Sequence, residues 1–245
     1  MGRADLGVPR AGAVDRDTHD LANRLVGNDP QAATIETHGG VVVEALRPVV
    51  LAVDGDRHTL ATGTQLRIED RADRMWRYLA IRGGIDVEPV LGSRSHDTLA
   101  GIGPPPIEVG TELAAGPDPG TELPTDHAPL RRRAPVVRLW PGPRIDRFVD
   151  ALATLAGRGW TVSGSVSRVG VRLEAGEFVT TTARRLASEG LVVGAIQITP
   201  SGEPIIMLAN HPTTGGYPVV AVVDPDDLSI VAQSPPGTVL RFICA

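Results

Sequence analysis

The stretch from Pro204 to Pro225 reads "PIIMLANHPTTGGYPVVAVVDP" and decides the fold class. Two apolar runs of strand length, "PIIMLAN" and "VVAVVDP", flank the segment "HPTTGGYP", which extends from His211 to Pro218. Short runs of aliphatic and β-branched residues bounded by Gly, Pro and Asn are typical of buried strands. The stretch therefore predicts two strands joined by a segment that carries two threonines, two glycines and a tyrosine.

The rest of the 245-residue chain repeats this pattern of short apolar runs between turn residues. Glycine (28) and proline (21) are abundant, and aromatic residues make up only 3% of the chain. Glycine supplies positive φ and proline fixes turn corners, so the composition favours many short strands. Helical spacing predicts one helix from about Arg16 to Val26, capped by Asp15 and Gly27, and another over residues 144–157.

A stretch rich in proline and glycine, "GPDPGTELPTDHAPLRRRAP", separates two halves of similar outline. Such a sequence buries little apolar area and is typical of an interdomain linker. We predict an N-terminal β domain over residues 1–116, a linker over 117–135 and a C-terminal β domain over 136–245.

Charge and residue usage exclude several kinds of chemistry. The chain has no lysine, so all 24 basic residues are arginines. This excludes a Schiff-base lysine, a phosphate loop with its lysine, and a biotinyl-lysine on this chain. The net charge of -5 at pH 7 argues against nucleic acid as a partner.

Cysteine and histidine usage offers no metal site. The single cysteine, Cys244, permits no disulfide within the chain and no Cys-rich zinc site. The six histidines show no H-x-x-x-H spacing, so no metal is indicated. No apolar run approaches the ~20 residues of a membrane span, and the start of the sequence lacks an apolar leader. We expect a cytoplasmic protein that does not bind a membrane.

Three segments carry candidate functional groups, and each has a simpler alternative. Thr213, Thr214, Tyr217 and the approachable backbone at Gly215 and Gly216 could cradle a carboxylate or phosphate oxygen, or form only a hairpin turn. In "GSRSHDTLAG", Arg94 and Asp97 could bind and orient an anion beside Ser95, or form only a surface ion pair. In "GVPRAG", Arg10 precedes a helix N-terminus, where anions are favoured, but an ordinary helix-entry loop has the same letters.

Five motifs in this order resemble one family, that of the 5-oxoprolinase C-type subunits, also named allophanate hydrolase subunit 2 or KipA. The family is similar to part of the carboxyltransferase region of urea carboxylase. The motifs are "GVPRAGAVDRDTHDLANRLVGN", "YLAIRGGIDVEPVLGSRSHDTLAG", "VSRVGVRLEA", "SEGLVVGAIQITPSGEPIIMLANHPTTGGYPVVAVV" and "PGTVLRF". They cover nearly the whole chain.

The resemblance implies a fold, partners and an activity. It implies two cyclophilin-like β-barrel halves with a few short helices. It also implies a KipI-type partner, which is the B-type subunit of such complexes, and a third subunit of the LamB/YcsF type. Such a complex opens 5-oxoproline to glutamate with ATP, whereas the region in urea carboxylase moves a carboxyl group from carboxybiotin, held on another chain, to urea. We therefore expect a hydrolase subunit that is active only in its complex.

The resemblance also favours a functional role for two of these segments, the one with Thr213 to Tyr217 and the one with Arg94, Ser95 and Asp97. It implies catalytic roles for Arg94, Asp97, Thr214 and Tyr217. It implies substrate-binding roles for the following residues: Arg10, Ser95, Gln197, Thr213, Gly215 and Gly216. Relatives often carry "DRQ" where this chain has "NHP" at 210–212, and they begin with a further strand, which we expect the N-terminal domain to lack.

Three functions follow as alternatives. The first is a subunit of an ATP-dependent 5-oxoprolinase or of a related amide carboxyltransferase. The second is a non-catalytic KipA-type regulator that binds a KipI-like kinase inhibitor, and it predicts tight partner binding without turnover. The third, a β-barrel that binds a sugar or metabolite by itself, is disfavoured because the chain has few aromatic rings for stacking.

Overall fold

The computed structural model describes residues 3–131, 133–182 and 186–245. The protein is mainly β, with 33% of its residues in strands and 13% in helices. The chain forms two compact units, which we call the sheet unit and the barrel unit. Their ranges are Asp15–Asp97 with Gly101–Arg132 for the sheet unit, and Met1–Val14, Thr98–Ala100 and Arg133–Ala245 for the barrel unit.

The sheet unit holds the first helix and six strands. They are α1 (Arg16–Leu25), β1 (Ile35–Thr37), β2 (Val41–Glu44), β3 (Val49–Val53), β4 (Asp56–Leu60), β5 (Gln65–Ile68) and β6 (Arg77–Ile81). Four strands form a sheet in the order β1-β6-β3-β4, and β2 pairs with β5. All pairs are antiparallel. Leu51, Val53, Leu60, Ile68 and Leu79 form the core of this unit.

Helix α1 confirms the prediction from sequence. The carboxylate of Asp15 accepts a hydrogen bond from the Thr18 N–H at 3.2 Å and so caps the helix N-terminus. Ala22 and Leu25 are buried, as the helical spacing of apolar residues requires. The predicted end at Val26 is one residue beyond the observed end.

The barrel unit holds the remaining elements. They are β7 (Val136–Pro141), α2 (Ala151–Ala156), β8 (Gly159–Val166), β9 (Gly170–Leu173), β10 (Glu189–Gly190), β11 (Ala195–Ile198), β12 (Pro204–Met207), β13 (Thr214–Gly215), β14 (Val219–Val223), α3 (Leu228–Ala232) and β15 (Val239–Cys244). Seven strands close a barrel in the order β11-β12-β9-β8-β15-β7-β14, with β14 next to β11. Only β15 and β7 run parallel among these pairs. Closure leaves the barrel no exposed strand edge.

Large apolar side chains fill the barrel. Trp160, Leu173, Ile196, Ile206 and Phe242 are all at most 2% exposed. Each comes from a different strand, at the positions that alternate inward along a barrel strand. The mainly β fold class is therefore confirmed, with a closed barrel in the C-terminal half and open sheets in the sheet unit.

The second predicted helix is shorter than expected. Residues 144–157 form a 3₁₀ turn (Ile145–Arg147) and then α2, with Phe148 extended between them. The Val149 N–H donates to the Val179 carbonyl at 2.8 Å, and the Phe148 ring lies edge-on to Phe178. These contacts with a distant segment hold residues 148–150 out of the helix, which the local spacing could not reveal.

The segment predicted as a linker makes hydrogen bonds within the sheet unit. The Arg82 Nε donates to Asp118 Oδ1 at 2.9 Å, and the Arg57 Nη1 donates to the Pro124 carbonyl at 2.7 Å. Position 132 of this segment lies outside the described residues. The predicted domain boundaries near residues 116 and 136 concern which parts of the chain fold independently. They stay a prediction.

Candidate functional site

The segment His211–Pro218 crosses over a strand and is not a hairpin turn. The strands on either side of it, β12 and β14, do not pair with each other, because each pairs with β11, which lies between them. The Ile198 N–H at the end of β11 donates to the Pro218 carbonyl at 3.2 Å. The hairpin alternative is therefore wrong, and we call residues 211–218 the crossing loop.

The buried side chain of Gln197 on β11 is hydrogen-bonded to the crossing loop. Its side chain is 3% exposed, and its Nε2 donates to the Tyr217 carbonyl at 2.7 Å. A Cβ added at Gly215 would lie 2.7 Å from Gln197 Nε2 and 2.9 Å from Leu191 Cδ1. Glycine at position 215 therefore lets the loop lie close to the buried amide without displacing it.

Gly215→Ala should destabilise the protein by about 1–3 kcal/mol, since the added methyl group must displace a buried, hydrogen-bonded amide. Gly216→Ala is the matched control. A Cβ at Gly216 meets no atom within 4 Å, so we expect a change within about 0.5 kcal/mol. Urea unfolding of the two variants measures the difference. Equal stabilities would show that the loop does not depend on its approach to Gln197.

The outer side of the crossing loop presents hydrogen-bonding groups to solvent. Thr214, Gly216 and Tyr217 are exposed, the last by 43%. Within the described part of the chain, no hydrogen bond involves the hydroxyls of Thr213, Thr214 or Tyr217, or the N–H groups of Gly216 and Tyr217. These groups lie on a loop that is hydrogen-bonded to the barrel through Gln197, and they make this loop a candidate site for a ligand oxygen.

An ion pair that the sequence did not suggest lies beside the crossing loop. Glu189 is the register partner of Gly215 in the pairing of β10 with β13. The Arg144 Nε donates to both carboxylate oxygens of Glu189 at 2.9 Å, and the hydrogen bonds from Arg144 hold the pKa of Glu189 below its usual value. Arg144 also donates its backbone N–H to the Val219 carbonyl at 2.9 Å. The two residues are 45 positions apart, so no local spacing could have paired them.

The N-terminal segment of the barrel unit is tied to the residue before the crossing loop. Arg168, between β8 and β9, donates from Nη2 to the Gly12 carbonyl at 2.7 Å and from Nε to Asn210 Oδ1 at 3.2 Å. Arg10 itself is exposed. Arg10, Gln197 and Thr213–Tyr217 thus all belong to the barrel unit.

The other three candidate residues belong to the sheet unit. The Arg94 side chain is exposed and its Nε donates to the Val87 carbonyl at 2.7 Å. The Ser95 N–H donates to Ser93 Oγ at 3.1 Å. Asp97 is 2% exposed and its N–H donates to the Ile102 carbonyl at 2.8 Å. Arg94 is therefore the most exposed of the three residues, and the roles assigned to them stay a prediction.

A mostly apolar recess of about 320 Å³ opens beside the crossing loop. Pro212, Met207 and Ile205 line it together with Val169, and Ser165 and Ser167 add hydroxyls. Among the residues that the structure describes, no three His, Cys, Asp or Glu side chains come together as a metal site. No helix of the described chain is long and apolar enough to cross a membrane.

A barrel that carries a polar loop above a buried glutamine defines a mainly β protein with a candidate ligand site on the barrel surface. The sequence model of one family, described as the carboxyltransferase domain, subdomain A and B, matches residues 6–244. The chain belongs to this carboxyltransferase domain family. The resemblance seen in the five motifs is thereby confirmed.

Named relatives agree with the family. The C-type subunit of 5-oxoprolinase from Escherichia coli is 32% identical over 97% of this chain and 83% of its own length. The urea amidolyase of Lachancea kluyveri is 29% identical over 97% of this chain and 15% of its own length. Both names denote enzymes or enzyme subunits, so the relatives support a subunit of an enzyme complex.

Solved structures share the fold. The crystal structure of TTHA0988 in space group P212121 superposes with a TM-score of 0.88 at 33% identity, over 98% of this chain and 51% of that chain. The Kluyveromyces lactis urea amidolyase superposes with a TM-score of 0.86 at 25% identity, over the whole of this chain and 17% of that chain. This chain therefore spans about half of the first structure and a small part of the second.

Proposed function

We propose that this chain is a cytoplasmic subunit of an ATP-dependent 5-oxoprolinase-type complex, which opens the small cyclic amide 5-oxoproline to glutamate. Its partners in this proposal are a KipI-type protein, as the B-type subunit, and a third LamB/YcsF-type subunit. ATP acts at the level of the complex. The family match and the subunit name of the Escherichia coli relative support this assignment.

The observation that carries the proposal is the set of donors on the crossing loop. Amide activation builds negative charge on a carbonyl oxygen, and fixed donors that point at that oxygen lower the barrier. We assign this role to the Thr214 hydroxyl, the Tyr217 phenol and the N–H groups of Gly216 and Tyr217, and Gln197 is hydrogen-bonded to the loop that carries them. The hydrogen bond from Gln197 to the loop supports this assignment, because donors that are already in place need little reorganisation during the reaction.

Arginine guanidinium groups suit the carboxylate of the substrate. The carboxylate of 5-oxoproline fits a bidentate guanidinium, and the chain has no lysine that could replace one. We assign substrate binding to Arg10, Ser95 and Thr213, and we assign charge stabilisation and orientation to Arg94 and Asp97. The burial of Asp97 suits a carboxylate that orients a neighbouring group better than one that meets solvent.

Reconstitution tests the proposal. The chain is co-purified with the KipI-type and LamB/YcsF-type proteins, and ATP hydrolysis is measured with and without 5-oxoproline. We expect hydrolysis that depends on 5-oxoproline and releases glutamate, and that is lost when any one chain is omitted. A stable complex that hydrolyses no ATP in the presence of 5-oxoproline would contradict the proposal and favour the KipA-type regulator.

A urea or amide carboxyltransferase half-site is the second candidate. The family description and the two urea amidolyase relatives favour it. In that reaction biotin is carried by another chain, since this chain has no lysine to bear it. Two results together would favour this candidate. The complex would carboxylate urea with free carboxybiotin, and it would show no ATP hydrolysis that depends on 5-oxoproline.

A further inference from the structure

Arg168 connects two segments that are far apart in the sequence. It lies within the motif "VSRVGVRLEA". Its Nη2 donates to the Gly12 carbonyl at 2.7 Å, and Gly12 is two residues after Arg10. Its Nε donates to Asn210 Oδ1 at 3.2 Å, and Asn210 directly precedes the crossing loop. One guanidinium therefore forms hydrogen bonds both with the N-terminal segment that carries Arg10 and with the residue before the crossing loop.

The surroundings of Arg168 make this connection specific. Asn210 is fully buried, and its N–H donates to the Arg168 carbonyl at 2.9 Å, so the two residues are bonded in both directions. Gly12 has a φ of +122°, a conformation that other residues rarely adopt. Glycine at position 12 thus lets the backbone turn its carbonyl toward Arg168.

We propose that Arg168 is a positioning residue, which acts through Arg10 by fixing the N-terminal segment against Asn210 and the start of the crossing loop. An arginine suits this task because its planar fork reaches two acceptors at once with fixed geometry. A lysine offers a point charge that satisfies one of the two acceptors. The part of this inference that concerns catalysis rests on the proposed function, whereas the structural link does not.

The structural link is tested on the isolated chain by limited trypsin digestion. Cleavage after Arg10 requires the segment around Gly12 to leave the barrel unit, so its rate follows the population of that open form. In Arg168→Gln we expect cleavage after Arg10 to be about tenfold faster, because a charge-assisted hydrogen bond to the Gly12 carbonyl is lost. Arg168→Lys should give an intermediate rate. Appearance of the new N-terminus at Ala11, followed by mass spectrometry, measures the reaction.

Control variants distinguish local detachment of the N-terminal segment from a general loss of stability of the barrel unit. Arg241→Gln removes an exposed arginine of the same unit, together with one trypsin site, and should leave cleavage after Arg10 unchanged. Cleavage after the exposed Arg158 and the melting temperature monitor the whole unit. Gly12→Ala, which strains the backbone and turns the carbonyl, should accelerate cleavage after Arg10 without touching Arg168. Unchanged cleavage in both Arg168→Gln and Gly12→Ala would overturn the link.

The positioning role is tested in the reconstituted complex. Arg168→Gln should raise the KM for 5-oxoproline about tenfold with little change in kcat, as Arg10→Ala should do. The double variant should be no worse than Arg10→Ala alone, because Arg168 acts through Arg10 and the two effects are then not additive. Additive effects, or an unchanged KM in Arg168→Gln, would overturn the role. Absence of turnover in the unsubstituted complex would refute the proposed function, and the digestion result would still decide the structural link.

Discussion

Asp54→Ala should lower the free energy of unfolding of the sheet unit by about 3–5 kcal/mol. Asp54 is 2% exposed and forms an ion pair with the guanidinium of Arg77, whose side chain is 12% exposed. Its Oδ1 also accepts the Tyr78 N–H at 2.8 Å. Removing the carboxylate leaves a nearly buried guanidinium without this partner and a buried N–H without its acceptor, and each loss is costly.

Backbone conformation adds to this effect. Asp54 has a φ of +52° in the turn between β3 and β4, a left-handed conformation that Asp and Asn tolerate better than Ala. Asp54→Asn keeps that tolerance and can still accept from Tyr78, so its remaining destabilisation reports the loss of the ion pair. Comparing the two variants by urea unfolding separates the loss of charge from the combined loss of the Tyr78 acceptor and of the backbone preference.

A neighbouring aspartate provides the control. Asp56 pairs with His127, and both side chains are more than 60% exposed. Such an exposed pair contributes at most about 1 kcal/mol, so Asp56→Ala should change stability little. If Asp54→Ala were as mild as Asp56→Ala, the buried pair would not contribute to the stability of this unit.

Thr214→Val should lower kcat of the reconstituted complex about 10²–10³-fold. The substitution keeps the shape of the side chain and removes the exposed hydroxyl that we assign to the developing oxyanion, and loss of one such donor has effects of this size. KM for 5-oxoproline should change much less, since the donor acts mainly in the transition state. Steady-state ATP hydrolysis over a range of 5-oxoproline concentrations separates the two constants.

Two threonines of the same unit serve as comparisons for Thr214. Thr213→Val should raise KM more than it lowers kcat, because we assign Thr213 to substrate binding. Thr180→Val alters an exposed threonine outside the crossing loop and should leave both constants unchanged. A kcat within twofold of the unsubstituted complex in Thr214→Val would remove Thr214 from the catalytic groups.

Local patterns predicted the elements that depend on local interactions. Helix α1 begins where Asp15 was expected to cap it, since a cap and its N–H partner lie only three residues apart. The strands flanking the crossing loop also lie where their apolar runs indicated. The helix predicted over 144–157 was interrupted, because Val149 bonds to Val179 and the ring of Phe148 packs on Phe178.

In the candidate site, too, local features were predictable from the sequence and contacts between distant residues were not. The residue types of the segment suggested that the hydroxyls and glycines of the crossing loop are candidate binding groups, with a hairpin turn as the alternative, and the family resemblance favoured the binding role. The ion pair between Arg144 and Glu189 and the links made by Arg168 were not predicted, because the partners are 45 residues apart in the first case and 156 and 42 in the second. Spacing arguments cover one or two turns of helix or a few residues of strand, and they do not reach such distances.

By itself the sequence determined that this protein is mainly β and that any chemistry it performs does without a lysine of this chain. Five ordered motifs determined its family. Only the tertiary structure decided that "HPTTGGYP" crosses β11 above Gln197 and does not close a hairpin. The physical reason is that strand order in a barrel is set by packing and hydrogen bonds between distant segments, whereas a sequence pattern reports the conformation of each segment alone.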